Sequence, residues 1–308
     1  MRNWGGGATA LAMVLCAATP AVAKDKPDAA PAAPPAMVAL QKDLHPQTGD
    51  VKIPQANAVM HLGDRYYFLP AADARRVLVE AWHNPPSTAD GVLGMVFEKD
   101  ATVYDSVWGA VITYEDTGHV PDDDAAKQDY AGVLKGMQEG TEEQNAERKQ
   151  AGYQPMHLIG WAQPPSYDAA NHSLIWAREL QLEGDAVNGL NYDVRLLGRT
   201  GVLSLNMLAS MNDLGNVRTA AQSFGKAVSF EPGAGYADYN ASSDKTADYG
   251  LAGLVAGGVA LGVAKKIGFL AIILKFGKVI LIGIAAAGAA VWQFVKRLVG
   301  KKDEEEVI

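Results

Sequence analysis

The sequence predicts an α+β fold, in which an antiparallel sheet with packed helices is followed by a C-terminal transmembrane helix or helical hairpin. Short runs of alternating apolar and polar residues indicate the strands. Amphipathic segments before and after these runs indicate helices laid on the sheet. Between residues 251 and 302, apolar runs interrupted by lysines indicate the membrane segment.

The N-terminus has the pattern of an export signal followed by a linker. Arg2 precedes a small and apolar stretch, and Ala21-Val22-Ala23 resembles a cleavage site, so residues 1–23 are predicted to be a signal peptide. Residues 24–50 are rich in proline and alanine, which predicts a disordered leader. The domain itself is predicted over residues 51–246.

Composition excludes several classes of partner and chemistry. Cys16 is the only cysteine and lies within the signal, so the mature chain would have no disulfide and no thiolate metal ligand. The formal net charge is -8, although residues 265–308 hold eight basic and only four acidic residues. A domain this acidic repels polyanions, so we expect no nucleic acid among its partners.

The first half of the domain alternates strands with helices. Strands are predicted at residues 58–62, 66–69, 92–97 and 108–114. Between the second and third, a helix that starts after Pro70 and stops at Asn84 carries apolar side chains at steps of three and four. Three adjacent carboxylates, Asp122 to Asp124, are interpreted as the cap of a helix over residues 123–137, followed by a separate polar helix over 141–150.

The second half predicts the main part of the sheet. Strands are expected at 156–162, 173–180, 190–196 and 202–208, where Pro164 and Pro165 end the first strand and residues 198–201 form a tight reversal. A helix over 213–227 follows.

Alternation in two of these strands places polar side chains on one sheet face. That face is interpreted either as ordinary solvated surface or as a recognition surface. The recognition surface would use five candidate binding residues, which are Trp161, Tyr167, Asp193, Arg195 and Arg199.

Motifs for catalysis or cofactor binding are not recognised in the sequence. The six histidines show neither i, i+4 pairs nor H-E-x-x-H, and there is no G-x-S-x-G, S-x-x-K, P-loop or dinucleotide glycine pattern. We therefore expect no metal and no cofactor, and a non-catalytic binding or scaffolding module rather than an enzyme. The alternative is an envelope hydrolase that uses a carboxylate acid/base pair, since spacing along the chain does not decide which carboxylates meet.

The chain resembles a known family through ordered motifs across residues 51–254. These are Gly160-Trp161-Ala162 with Pro164-Pro165-x-Tyr167-Asp168, Leu174-x-Trp176-Ala177, Leu190-Asn191-Tyr192 with Val194-Arg195 and Gly198-Arg199-x-Gly201, and Gly235-Tyr236-Ala237-Asp238. They are similar to the DUF2167 family of bacterial membrane-anchored proteins. The resemblance implies a cell-envelope domain followed by a C-terminal anchor, and it assigns no catalytic residue.

The membrane anchor is predicted over residues 247–300, with a charged tail at 301–308. Residues 279–295 are an apolar run long enough to cross the bilayer, whereas 251–264 is shorter and richer in glycine. One crossing and two crossings remain open; glycines spaced for close helix contact favour the hairpin. The expected partners are the lipid bilayer and another envelope protein. The expected location is the bacterial cytoplasmic (inner) membrane, with the domain on the outer (periplasmic) side.

Overall fold

A computed structural model describes residues 34–104, 108–123, 125 and 128–257 of the chain. The signal peptide and most of the predicted anchor therefore lie outside the described residues. The described strands are β1 Asp50–Ile53, β2 Ala58–His61, β3 Tyr66–Pro70, β4 Val92–Glu98, β5 Gly109–Glu115, β6 Met156–Asp168, β7 Ser173–Leu182, β8 Gly189–Leu197, β9 Val202–Ser210 and β10 Val228–Phe230. The α-helices are α1 Pro35–Lys42, α2 Ala71–Arg76, α3 Tyr130–Gln150, α4 Leu214–Phe224 and α5 Leu251–Val255.

Seven of these strands form one antiparallel sheet in the order β3-β4-β5-β9-β8-β7-β6. The strands from β6 to β9 follow one another as a meander, and β5 pairs with β9 to join the two halves. A smaller antiparallel sheet has the order β1-β2-β10. The predicted α+β class with an antiparallel sheet is confirmed.

Apolar side chains cover both faces of the large sheet. On one face, Tyr192 and Met207 belong to a cluster completed by α4, through Val217 and Phe224, and by the small sheet. On the other face, α1 and α2 pack on β3, β4 and β5. Leu134 and Met137 of α3 pack on the buried side chains of β6 and β7.

The helix predicted after Pro70 is present and continues through a π-helical turn, Val77–Ala81. Trp82 at its end is buried and donates from Nε1 to the carbonyl of Val103 at 2.8 Å. Trp82 therefore anchors the end of this helix in the core.

The leader predicted to be disordered over 24–50 is ordered from residue 34, which corrects that boundary. Pro35–Lys42 is a helix, and Leu40 and Leu44 are buried against α2 and its neighbours. Gln47 exchanges both backbone hydrogen bonds with Phe68, at 2.7 and 2.8 Å, and so covers the β3 edge of the sheet. Composition predicted a linker because it counts residue types only. It does not show that Leu40 and Leu44 have a surface of the folded domain to pack against.

The helix assignments after Asp122 were also wrong. A single helix, α3, replaces the two predicted at 123–137 and 141–150, and its N-cap is Asp129, which accepts from the Gly132 N–H at 3.0 Å. Gly140 does not interrupt it, because an interior glycine weakens a packed helix without breaking it.

Strand β6 does not stop at Pro164 and Pro165 as predicted but runs on to Asp168 through several register shifts. It is an edge strand, where a missing N–H costs no ladder hydrogen bond.

The domain extends past the predicted boundary at residue 246. Ala247 and the whole of α5 are buried, and α5 contacts α3. As far as residues 34–257 are described, every helix is too short or too polar to cross a membrane. The run at 279–295 and the remainder of the run at 251–264 lie outside the described residues.

Candidate functional site

The structure separates the five candidate residues into three places. Asp193 and Arg195 lie in a buried network on the sheet. Tyr167 and Arg199 lie near the end of the sheet, beside the C-terminal segment. Trp161 lies farther back on the edge strand β6, which also carries Tyr167. Trp161 is half-buried and directs Nε1 at the Tyr130 carbonyl, 3.4 Å away. It is six residues from Tyr167, which is roughly 20 Å along an extended strand.

Asp193 is the centre of the buried network. Its side chain is 0% exposed, and its carboxylate accepts from Arg178 at 2.9 Å, from Arg195 at 3.0 Å and from the Asn206 amide at 3.0 Å. Three charge-assisted or polar bonds offset the cost of removing the carboxylate from water.

Arg195 extends the same network toward the sheet surface. It bonds to Ser204 and to Glu115, the latter at 3.3 Å, and its guanidinium lies 5.4 Å from the centre of the Trp176 ring. The solvated-face interpretation is therefore wrong, since Asp193, Asn191 and Ser204 on this face are all buried.

The recognition-surface interpretation also fails for Asp193 and Arg195, because both side chains are engaged inside the domain. Burial raises the pKa of Tyr249, whose phenol lies near enough to Glu115 and Arg195 to respond to their charges. The segment that leads into α5 thus lies next to this network. Alternation placed these polar side chains on one face but did not show what covers that face.

A second group, here called the Tyr–His cluster, consists of Asp122, Tyr167, His172, Tyr236, His119 and Tyr239. The Tyr167 hydroxyl donates to Asp122 Oδ2 at 2.6 Å and lies 3.1 Å from His172 Nδ1. Because the phenol proton is directed to the carboxylate, His172 Nδ1 is the donor in the second bond. Asp122, Tyr167 and His172 therefore form a directed hydrogen-bond chain.

Four rings of the cluster form a column, in which two ring pairs are stacked and the His119–Tyr236 pair is tilted by 32°. The ring centres are 4.1 Å apart between His172 and Tyr236, 4.2 Å between Tyr236 and His119, and 3.9 Å between His119 and Tyr239. His119 is buried, whereas the other three rings are partly exposed. The Tyr236 hydroxyl donates to the Val120 carbonyl at 2.9 Å, which fixes its ring.

The protonation states in the cluster follow from burial and from its carboxylates. Burial, reinforced by the hydrogen bond and charge of Asp122, raises the pKa of Tyr167 far above its usual range. Burial and then Asp122 raise the pKa of Tyr236 in the same way. Burial lowers the pKa of His119, although Asp122 acts in the opposite direction. Both phenols therefore stay neutral and act as hydrogen-bond donors.

Arg199 ties the C-terminal segment to the sheet beside this cluster. Its guanidinium binds both carboxylate oxygens of Asp244, at 2.8 and 3.0 Å, and donates to the Gly233 carbonyl at 3.1 Å. The hydrogen bond from Arg199 is the main reason that the pKa of Asp244 lies well below its usual range. His119 holds the same segment through its backbone, which exchanges bonds with Lys245 and Ala247, each at 2.8 Å.

Sequence reasoning missed the histidines of the cluster and the role of Asp122. His119 and His172 are far apart in the chain, and only the turn between β6 and β7 and the return of residues 236–239 bring them together. One signal was available, since Tyr167 and Tyr236 both belong to the motifs quoted above. Asp122, interpreted as a helix cap, instead binds Tyr167.

Two further features bear on what sites the described residues contain. A cleft of about 710 Å³ lies elsewhere, and its lining includes Asp64, Arg65, Glu98, Trp108 and Asp213. In the parts of the chain that the structure describes, no three His, Cys, Asp or Glu side chains are grouped so as to hold a metal ion.

Comparison with known proteins gave one family match. The family model DUF2167, described as a protein of unknown function, matches residues 45–289. No match was found among curated proteins. Among solved structures, cyanobacterial PsbP (CyanoP) from Synechocystis sp. PCC 6803 matches with a TM-score of 0.34 and 9% identity, over 61% of this chain and 92% of that chain. A likeness at this TM-score carries no argument about function.

Proposed function

We propose that this chain, which belongs to the DUF2167 family of unknown function, is a binding or scaffolding module of the cell envelope. It is tethered to the cytoplasmic membrane with its domain on the outer, periplasmic side. Its binding surface is the Tyr–His cluster together with Arg199.

The observation that carries this proposal is the stacked column of His172, Tyr236, His119 and Tyr239. Three of its rings are partly exposed and are held by stacking and hydrogen bonds, so a partner would meet aromatic side chains that are already ordered. Rigid tyrosine rings with a polar edge supply large contact areas at low entropic cost, which is why they dominate many binding surfaces.

The carboxylates near the family motifs favour binding over acid/base hydrolysis. A carboxylate general acid needs a pKa raised toward neutrality. Asp244 has the opposite shift because Arg199 binds it, and Asp193 is buried between two arginines. Asp122 accepts a hydrogen bond from the Tyr167 hydroxyl.

The tether and the location rest on the sequence. The export signal at residues 1–23 supports a periplasmic domain, and the uncharged run at 279–295 supports insertion into the bilayer. The lipid bilayer is thus one partner, and a second envelope protein at the Tyr–His cluster is the other. Nucleic acid is not a proposed partner, because the acidic composition of the domain repels polyanions.

Site-specific photo-crosslinking in cells tests the proposed surface. Ala170 and Ala237 are exposed, lie beside His172 and Tyr236, and accept a crosslinking amino acid without disturbing the stack. Ala131 on the exposed side of α3 is the matched control. We expect a discrete adduct from positions 170 and 237 that is not obtained from position 131.

A second variant links the adduct to the cluster. Tyr167→Phe keeps the ring but removes the hydroxyl that orders Asp122 and His172, so the adduct yield should fall. The proposed surface is wrong if positions 170 and 237 give no adduct, or the same adduct pattern as position 131.

A further inference from the structure

Three side chains on the exposed face of the small sheet are arranged in the order that serine hydrolases use. Asp50 is on β1, His61 on β2 and Ser229 on β10. His61 Nδ1 lies 2.9 Å from Asp50 Oδ1, and His61 Nε2 lies 2.9 Å from Ser229 Oγ. A nucleophile, a base and an orienting carboxylate are recognised by such geometry rather than by sequence position.

The pairing of the three strands explains this arrangement. Asp50 is directly opposite His61, and the His61 N–H donates to the Ala227 carbonyl at 2.7 Å, which puts Ser229 two residues farther along β10. Val51 and Met60, the neighbours of Asp50 and His61, point to the other face and are buried. The backbone of the core therefore fixes the positions of all three exposed residues.

The chemistry of the partners sets the proton positions. An ionised carboxylate only accepts, so His61 Nδ1 carries the proton that bonds to Asp50. In the neutral imidazole, Nε2 is then an acceptor, and the Ser229 hydroxyl donates to it. This is the tautomer in which a histidine can remove the serine proton.

We propose that Ser229, His61 and Asp50 form a catalytic site that hydrolyses small acyl esters, an activity beyond the binding function and at a different surface. Ser229 Oγ bonds to the ester carbonyl carbon while its proton passes to His61 Nε2. The carbon–alkoxide bond then breaks, and the alcohol leaves with that proton. Water then bonds to the acyl carbon and gives a proton to His61 Nε2. The bond from that carbon to Ser229 Oγ breaks, Oγ takes the proton back from His61, and the acid leaves.

Lys52 supplies positive charge for the oxyanion that forms in both steps. Lys52 is exposed on the same face as Asp50, and Val59 is paired with both Lys52 and Ser229. Two strand spacings, about 9.5 Å, separate the backbones of Lys52 and Ser229. The four-carbon stem of lysine is long and flexible enough for its ammonium to reach the reacting group across Val59.

The solvent exposure of this face limits which substrates the site can hold. The side chains of His61 and Asp50 are 47% and 70% exposed, so the site holds the substrate weakly and does not select among leaving alcohols. Small acyl groups such as acetyl fit a flat surface of this kind. We expect a high KM and slow turnover, because the carboxylate is largely hydrated and orients His61 less firmly than a buried one.

The test uses the purified full chain in detergent micelles, a fluorophosphonate probe and p-nitrophenyl acetate. The expected result is covalent labelling of Ser229, located by peptide mass spectrometry, and ester hydrolysis that falls to background in Ser229→Ala. His61→Ala should lower the hydrolysis rate by roughly a hundredfold. Ser87→Ala, at another exposed serine, is the matched control and should keep both labelling and activity.

The role of Lys52 is tested separately from that of Ser229. Lys52→Met should lower kcat more than it changes KM, because the oxyanion exists only after attack. The proposal is overturned if Ser229 in the wild-type chain stays unlabelled, or if Ser229→Ala hydrolyses the ester as fast as the wild type. Neither result bears on the crosslinking experiment at the Tyr–His cluster.

Discussion

Asp193 places a full negative charge inside the sheet, and its three partners keep that charge stable. Arg178, Arg195 and Asn206 all donate to it. Replacing it with alanine would leave the buried Arg178 guanidinium without its counter-charge and Arg195 with Glu115 alone. Breaking a buried pair in this way typically costs about 3–5 kcal/mol of unfolding free energy. We expect Asp193→Ala to lower the free energy of unfolding by this amount in a urea titration.

A surface aspartate supplies the control for that measurement. Asp116 is exposed after β5, and Asp116→Ala should change the free energy of unfolding by only about 0.5 kcal/mol or less. Equal losses in the two variants would show that the buried network does not stabilise the fold.

His119 makes stability depend on pH. Burial lowers its pKa in the folded domain, while in the unfolded chain the pKa is near 6.5. Below about pH 6.5 the unfolded state therefore binds more protons. The stabilisation is complete above that pH and is lost as the pH falls through the folded-state pKa. We expect the free energy of unfolding to decrease on acidification from about pH 7 to about pH 5.

His119→Phe isolates this effect, because phenylalanine keeps a ring between Tyr236 and Tyr239 and does not titrate. The slope of unfolding free energy against pH should be shallower in the variant than in the wild type. His157 has the opposite effect on the pH dependence of stability, because its hydrogen bond to Glu142 raises its pKa. It is present in both chains, so its contribution cancels in the comparison. An unchanged slope would contradict the assignment to His119.

Residue positions within strands could be predicted, whereas residue environments could not. Alternation correctly put Asp193, Ser204 and Asn206 on one face, because side-chain direction has a period of two in any strand. Whether water reaches that face depends on segments distant in sequence, such as the one that carries Tyr249. The meeting of His119, His172 and Tyr236 depends on tertiary contacts of the same kind.

At the scale of elements, α3 protects the exposed edge of the large sheet. The Asn145 amide donates to the Met156 carbonyl at 2.9 Å and accepts from its N–H at 2.8 Å, and Gln138 donates to the carbonyls of Leu158 and Ile159. These side chains occupy the hydrogen-bonding groups that an added strand would use, which is one way that proteins prevent edge association.

Removing this protection should be measurable. Asn145→Ala leaves the buried Met156 N–H and carbonyl without their partner, at a cost of about 1–3 kcal/mol in unfolding free energy. We also expect a greater tendency to self-associate, detected by light scattering at high concentration. Gln144→Ala, on the exposed side of α3, should leave both quantities unchanged. An equal effect of the two variants would argue against edge protection.

Helix α1 stabilises the domain although it precedes the expected boundary. A chain that begins at residue 51, the boundary expected from composition, lacks Leu40 and Leu44, which are buried on the α2 side of the sheet. Losing two buried leucines costs about 3–6 kcal/mol. We therefore expect such a chain to melt at a lower temperature than one that begins at residue 34. Equal melting temperatures would mean that α1 adds no stability.

Elements with a strong local pattern were predicted well, and those defined by their partners were not. Strands β4, β5, β7, β8 and β9 and helix α4 were all expected close to their observed positions. Helix α1 and strand β10 were missed because each is short and is stabilised by packing or pairing with distant residues. The continuation of β6 past two prolines could not be foreseen, because only sheet order shows that it is an edge.

At the scale of the whole molecule, the C-terminal segment connects the proposed binding surface to the proposed tether. Residues 236–247 contribute Tyr236 and Tyr239 to the Tyr–His cluster and are held by Arg199 and the backbone of His119. Helix α5 then follows with its side chains buried. A partner bound at the cluster would thus contact the chain shortly before the tether begins.

Cell fractionation is the sharpest test of the proposal that the chain is an envelope module held at the membrane by residues after 257. The chain with its signal, and the same chain ending at residue 257, are each produced in a Gram-negative bacterium and separated into periplasm, cytoplasm and carbonate-washed membranes. We expect the complete chain in the washed membranes, accessible to protease after the outer membrane is opened, and the shortened chain in the periplasm. Recovery of the complete chain in a soluble fraction, or protection of its domain from that protease, would contradict the account.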